Sequence, residues 1–367
     1  TRALVVGATI PQGDELSVEA TRTGNVDVAS VGAAGATASG RSIGIAGSVS
    51  WQQITAVTEA IVRGVTATFE GDGEVTASDT TSEIAIGGGL AYGGEVGVGA
   101  SIAINQITQH TRAIVDSLTV GSTTYDTSLT FGGEYTQTAT DGFDLIAVGL
   151  SAGVGQSAVA FTIAINIGIT SAEATVDHAT IDAEDGDITI SATDTSTIET
   201  GVGAIALGVL KPSNDSNSPS KSSEHLAIGI TIAVNSIDQQ VPVLINDSEL
   251  TATAGKVELS ASATGSIYAV GVAGGGTFNG SGNSNGGFQF AGAGVIMINA
   301  VTGAIEAEVT DGALTSGDGS PIEVKASDGT SINADAGAAA ILISLSQAPA
   351  AAREAAARLS DPKLKGH

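Results

Sequence analysis

Few residues of this chain are placed to do chemistry. Gly40-Arg41-Ser42-Ile43-Gly44 has the Gly-x-Ser-x-Gly spacing of a nucleophile elbow. That motif works only on a strand–turn–helix, with a histidine and an acid brought to it. Its surroundings here alternate like a strand and carry no helical pattern. The four histidines, His110, His178, His225 and His367, occupy unlike positions and share no ligand spacing, so they are expected on the solvated surface. The densest carboxylates are Asp182, Glu184, Asp185 and Asp187 around Gly186. Such a group suits contact with a divalent cation, calcium being the candidate, although turns favour Asp for backbone reasons alone. Glu70, Asp72 and Glu74 repeat the arrangement around Gly71 and Gly73. The regular Gly-Gly-x-Gly-x-Asp calcium nonapeptide is absent. No other cofactor and no enzymatic activity are expected.

The elements that would hold these residues are repeats. One phrase, a turn followed by an alternating strand, occurs six times. It reads Gly73-Glu74-Val75-Thr76-Ala77, Gly186-Asp187-Ile188-Thr189-Ile190-Ser191-Ala192 and Gly255-Lys256-Val257-Glu258-Leu259-Ser260-Ala261, with relatives at Gly13, Gly133 and Ser320. A second phrase ends in a carboxamide, as in Ser101-Ile102-Ala103-Ile104-Asn105 and Thr162-Ile163-Ala164-Ile165-Asn166. Its carboxamides are Gln52, Asn105, Asn166, Asn235 and Asn299, separated by 53, 61, 69 and 64 residues. The tails Gln53–Val62 and Gln106–Val115 agree at seven of ten positions. Recurrence in fixed order decides the architecture before any motif does. It divides residues 1–346 into modules at about 6–62, 63–115, 116–176, 177–245, 246–309 and a shortened 310–346.

Thr1-Arg2-Ala3-Leu4-Val5 matches Thr111-Arg112-Ala113-Ile114-Val115, so the chain is expected to begin inside a preceding module of a longer array. The end differs. Pro349 precedes an Ala/Glu/Arg run from Ala350 to Leu359, which predicts a short C-terminal α-helix within a tail or cap over 347–367.

From Ile84 to Ile104 the even positions are mostly large and apolar, while the odd ones are Gly, Ala, Ser and one Glu. That period of two is a strand pattern. The natural expectation turns the large face inward and the small face outward. Stacked on their own copies, such strands predict an all-β, repetitive β-solenoid, a right-handed parallel β-helix. At roughly three coils per module it would form a rod on the order of 80 Å. The carboxamides then belong at coil corners, bonding the turn backbone locally; with spacings this long, direct Asn-on-Asn stacking is not expected. An outer-membrane barrel is the rival, and the lack of aromatic girdles argues against it.

Composition narrows the partners. Thirteen Lys and Arg against 39 Asp and Glu give a net charge of −26. That field repels nucleic acid and anionic membrane surfaces. The chain has no cysteine, hence no disulfide and no thiolate metal site. No membrane insertion is expected. Two polar insertions fall at one repeat position: Lys211–Ser223, with Asn214, Asp215 and Asn217, and Asn279–Gly287, with Asn279, Asn283 and Asn285. They are candidate binding loops. Asn214-Asp215-Ser216 and Asn279-Gly280-Ser281 also match the glycosylation sequon.

The order of these phrases, a Val-Glu-Leu-Ser-Ala type strand, a Gly/Ala-rich alternation, Ser-x-Ala-x-Asn and a Thr-x-Ala-x-Ile-like tail, resembles the repeats of very large secreted bacterial surface proteins of the haemagglutinin, leukotoxin and adhesin type. The resemblance covers about residues 1–346 and supplies no catalytic motif. It implies an extracellular or cell-surface β-solenoid, a rigid stalk or adhesin spacer. The alternatives are a tract of a self-assembling extracellular filament and a module binding a glycan or ion through its loops. The partners expected are neighbouring modules or copies of the same protein, and a host or matrix glycan or protein.

Overall fold

The structure, a computed structural model, describes residues 1–37, 41–209, 225–279 and 288–344. The helix expected over Ala350–Leu359 and its tail lie outside the described residues. So do the loop residues Asn214, Asp215, Asn217, Asn283 and Asn285. Asn279 ends a strand. The described chain is all-β, with no helix.

Strands recur in a fixed order. After β1 (Arg2–Val6) come β2 (Thr9–Gly13), β3 (Leu16–Ala36) and β4 (Ile43–Arg63). The next set is β5 (Thr66–Phe69), β6 (Gly73–Gly93) and β7 (Val96–Asp116). A hairpin of β8 (Leu118–Val120) and β9 (Thr123–Tyr125) then precedes β10 (Thr127–Phe131), β11 (Tyr135–Gly155) and β12 (Ser157–Asp177). From here the middle strand is broken in two: β13 (Ala179–Ala183), β14 (Ile188–Asp194), β15 (Thr197–Val209) and β16 (His225–Asn246). The pattern returns as β17 (Glu249–Ala252), β18 (Val257–Ala263), β19 (Ser266–Asn279) and β20 (Gln289–Thr310). It ends as β21 (Ala313–Ser316), β22 (Ile322–Asp328) and β23 (Ser331–Ser344).

Every strand pairs in parallel with its equivalents, the β8–β9 hairpin excepted. Sheet I runs β1-β4-β7-β12-β16-β20 and sheet II runs β2-β5-β10-β13-β17-β21. Sheet III holds the nine middle strands; β11 pairs β6 along one edge, and β14 then β15 along the other. Each repeat thus adds one level to each sheet. This corrects the expected three levels per module, because two strands of about 21 residues consume nearly the whole repeat. Six levels at ~4.8 Å stack to roughly 25 Å, not 80 Å. A 21-residue strand spans roughly 70 Å, so the slab is wider than it is tall.

The three sheets enclose one apolar core where the short strands of sheet II bridge the other two. Val62, Val115, Val176 and Ile245 of sheet I meet Phe69, Leu129, Ile181 and Leu250 of sheet II and Val75, Ile188 and Leu259 of sheet III. Phe69 stacks on Phe131 at 5.4 Å, and Phe131 on Tyr135 at 5.3 Å. Over the outer face of sheet I, Arg2, Glu59, Arg112 and Glu173 stand in register on successive strands with alternating charge. Arg112 reaches Glu59 at 3.4 Å and Glu173 at 3.3 Å. Glu59 is buried beneath its arginines, while Arg112 and Glu173 remain partly exposed; an exposed pair of this kind contributes about 0.2–1 kcal/mol.

Past this core, sheets I and III continue alone, face to face, as a two-layer wing. Ile107, Phe143, Leu145, Ile198, Ile237 and Ile267 fill its root. Farther out the residues between the sheets are mostly Ala, Gly, Ser and Thr, as at Ala158, Ala160, Thr162, Ala204, Ala206 and Ala227. At its glycines the spacing leaves no room for a side chain. A Cβ on Gly97 would sit 2.1 Å from the Val154 carbonyl oxygen, and one on Gly153 would sit 2.3 Å from that of Val159. The expected large-in, small-out arrangement is therefore reversed. In β7, Gly97, Gly99, Ser101 and Ala103 are buried, while Val96, Val98, Ile102 and Ile104 point outward. The same face stays inward along the whole strand; beyond Asn105 its residues become large, with Ile107 and Val115 buried in place of glycine and alanine.

Candidate functional site

Two buried polar rows cross the wing between the sheets. The first is the carboxamide row. Gln52, Asn105, Asn166, Asn235 and Asn299 pair in register on β4, β7, β12, β16 and β20. All five lie inside strands, which corrects their expected place at turns. They also stack directly: Nδ2 of Asn105 donates to Oδ1 of Asn166 at 2.7 Å, and Asn166 to Asn235 and Asn235 to Asn299 do the same at 2.7 Å. One level per repeat is what brings residues more than 60 apart into contact. From sheet III, Thr200 accepts from Asn166 Nδ2 at 2.8 Å and donates to Asn235 Oδ1 at 2.7 Å. Gln52 instead donates to the Ile84 carbonyl at 3.2 Å.

Glu83 meets the start of this row. It is fully buried, and burial pushes its carboxyl up to about 7. Its Oε1 lies 3.3 Å from the Asn105 carboxamide. Turning that amide over would let it donate to Glu83, but would set it oxygen to oxygen against Asn166. A protonated Glu83 resolves the conflict by donating to Asn105 Oδ1, so that every amide in the row points the same way.

The second row is acidic, and no motif reading found it. Asp79, Asp141 and Asp194 stand in register on β6, β11 and β14, all fully buried. Arg22 occupies the preceding level and Ala263 the following one. Asp79 accepts from Arg22 Nη1 at 2.8 Å, Thr58 Oγ1 at 3.0 Å and Gln109 Nε2 at 2.8 Å. Asp194 accepts from Gln239 Nε2 at 2.6 Å and the Ser196 N–H at 2.9 Å. Asp141, between them, has no partner for either oxygen. Burial, then the charges of Asp194 and Asp79, push its carboxyl up to about 8; the backbone N–H groups of Gly142 and Ser171 pull weakly the other way. Three like charges cannot stand side by side in a dry interior. The middle one is protonated at neutral pH. The signal was in the sequence: extending the first repeat phrase by two residues gives Ala77-Ser78-Asp79, Ala139-Thr140-Asp141 and Ala192-Thr193-Asp194.

The carboxylates singled out for calcium sit elsewhere, at the corner between sheets II and III. Asp182 is in β13; Glu184 and Asp185 are exposed in the turn after it. Their own N–H groups donate to the preceding level, Glu184 to Phe131 O at 2.9 Å and Asp185 to Gly132 O at 3.2 Å. Asp187 Oδ1 accepts the Lys256 N–H of the next level at 2.9 Å, as Asp72 Oδ1 accepts that of Glu134 at 2.9 Å. At these two corners an Asp of one level binds the backbone of the next. Among the described residues, no three or more His, Cys, Asp or Glu form a group that could hold a metal ion.

The histidines divide. His178 stays at the surface, at a positive-φ corner (φ 50°), with Nδ1 3.1 Å from Asp177 and Nε2 3.4 Å from Asp247. It edges a polar concavity of 450 Å³ that Asp126, Glu249 and Asp311 also line. His225 is buried, contrary to expectation, with Nδ1 3.2 Å from the Gln156 carbonyl oxygen. His110 is half-buried in β7, and His367 lies outside the described residues. Ser42 of the Gly-x-Ser-x-Gly spacing is buried, and its Oγ accepts the Gly94 N–H at 2.8 Å. It ties two levels of the wing tip together. Compared with protein-family models, with curated proteins and with solved structures, the chain matches none.

Proposed function

We propose that the chain is a β-solenoid with one turn per repeat, serving as a structural segment of a large bacterial surface protein, outside the cell. The observation that carries this reading is the register. Equivalent residues of successive repeats stand on one another through the sheets, and the carboxamide row and the corner Asp72 and Asp187 bond one level to the next. Its polar rows serve cohesion between levels. Each repeat spends about sixty residues on ~4.8 Å of height, so what the module gains is width. The segment is a broad, stiff ribbon whose length grows with repeat number, a stalk or spacer for parts that bind.

The test is removal of one level. Deleting residues 64–116 in frame joins Arg63 to Ser117 and lets β12 pair with β4 where β7 had paired. The shortened chain is expected to fold with the same β-type circular dichroism and one cooperative unfolding transition, since a repeat stack is a sum of levels and their interfaces. A deletion product that is unfolded or aggregated overturns the reading.

A further inference from the structure

The outer face of sheet I over the wing is apolar on a scale that needs a partner. Five outward positions, Ile43 to Trp51 on β4, recur in register on β7, β12, β16 and β20. None of these positions is charged, and the single polar side chain among them is Ser157. Ile45 is 67 % exposed, Val49 64 % and Trp51 73 %. Five columns two residues apart on five strands cover about 800 Å². A soluble monomer's largest apolar patch is about 300–600 Å². A standard interface buries about 800 Å² per partner.

We propose that this face packs against the same face of a second copy of the chain, sheet on sheet, about a two-fold axis. The area is what a stable dimer needs. Parallel rows of aliphatic side chains without a charge are self-complementary, and two such sheets pack ~10 Å apart. The other outer face of the wing is less suited. Its column Val31, Gly88, Leu150, Gly203, Val272 alternates large and empty, leaving a groove of 500 Å³. A bilayer fits less well than a second copy. It would bury the unpaired edge backbone of β4 and β20 in hydrocarbon, at several kcal/mol per group, whereas face-to-face pairing leaves those edges in water. The −26 charge of each chain lies off the patch, so it slows approach without opposing contact, and salt should strengthen the pairing.

Trp51 is the chain's one tryptophan and lies on this face, on its edge strand β4. The whole chain is followed by sedimentation velocity and tryptophan emission from nanomolar to 100-micromolar concentration, at low and high salt. Dimers that form with concentration, more readily in salt, together with a blue shift of Trp51, are expected. Ile163→Lys, on the central strand of the face, should raise the dimer dissociation constant at least about a hundredfold, because it buries an unpaired charge. Trp51→Gln, a milder change at an exposed position, should weaken the dimer without affecting folding. Ile205→Lys on the opposite face should leave it unchanged. A chain that stays monomeric throughout overturns the proposal. So does a dimer broken by Ile205→Lys and not by Ile163→Lys. A monomer whose Trp51 shifts blue only with phosphatidylcholine vesicles overturns it in favour of a lipid surface.

Discussion

Asp141→Asn isolates the most unusual group in the interior. Asp141 is fully buried without a partner, and its carboxyl rises from 3.8 to about 8. The folded chain therefore holds a proton that the unfolded chain releases above about pH 4. The stability tied to this group is complete below the unfolded value and is lost as pH rises toward the folded one. Between those limits it falls by about 1.4 kcal/mol per pH unit, then levels off above about pH 8. At pH 7 the loss is about 4 kcal/mol at most, a large share of the 5–15 kcal/mol typical of a folded domain. Asparagine keeps the shape and polarity of the protonated acid and has no proton to lose. Urea unfolding of both chains at half-unit steps from pH 4.5 to 9 measures the difference directly. The variant should gain on the native chain by about 1.4 kcal/mol per unit up to about pH 8 and by nothing further beyond it. Glu83 and the overall negative charge also titrate across this range, but both are common to the two chains and drop out of the difference. Parallel stability curves would refute the account, because they would mean that Asp141 is ionised when folded.

Two further substitutions test the wing. Asn166→Ala removes the middle of the carboxamide row, strands Asn105 Nδ2, and takes one of two partners from Asn235 Oδ1 and from Thr200 Oγ1. It should cost about 3 kcal/mol, against under about 1 kcal/mol for Asn299→Ala at the end of the described row; equal costs in urea unfolding would show that the row is not cooperative. Gly153→Val drives a side chain into the facing backbone and should cost more than about 3 kcal/mol or prevent folding, whereas Gly201→Ala, with nothing within 4 Å of its new Cβ, should shift stability by less than about 0.5 kcal/mol. A tolerated valine at 153, judged by thermal unfolding, would mean that the sheets can part.

The sequence carried the period of the strands and the order of the repeats, since both depend on residue types alone. It did not carry the sense in which the strands face, because hydropathy places large residues inwards by default and here that default fails. What decides the matter is distance between backbones: at Gly97 and Gly153 the opposing sheet is so close that a methyl group would collide with a carbonyl oxygen. A face made of Gly, Ala and Ser can be either bare surface or tight interface, and only a partner strand distinguishes them. The same ambiguity hid the number of levels. Spacings of 53 to 69 residues look too long for one turn if strands have the usual five or six residues. Yet each repeat holds one carboxamide, one turn phrase and one alternating stretch on either side of the turn, which is the inventory of a single wide level. Taken that way, the Ala-Ser/Thr-Asp triplets at Asp79, Asp141 and Asp194 must also stack, and the conflict of buried charge that raises the Asp141 carboxyl follows from the repeat itself. The buried acids, like the outward isoleucines, are local choices that make sense only through the copies above and below them.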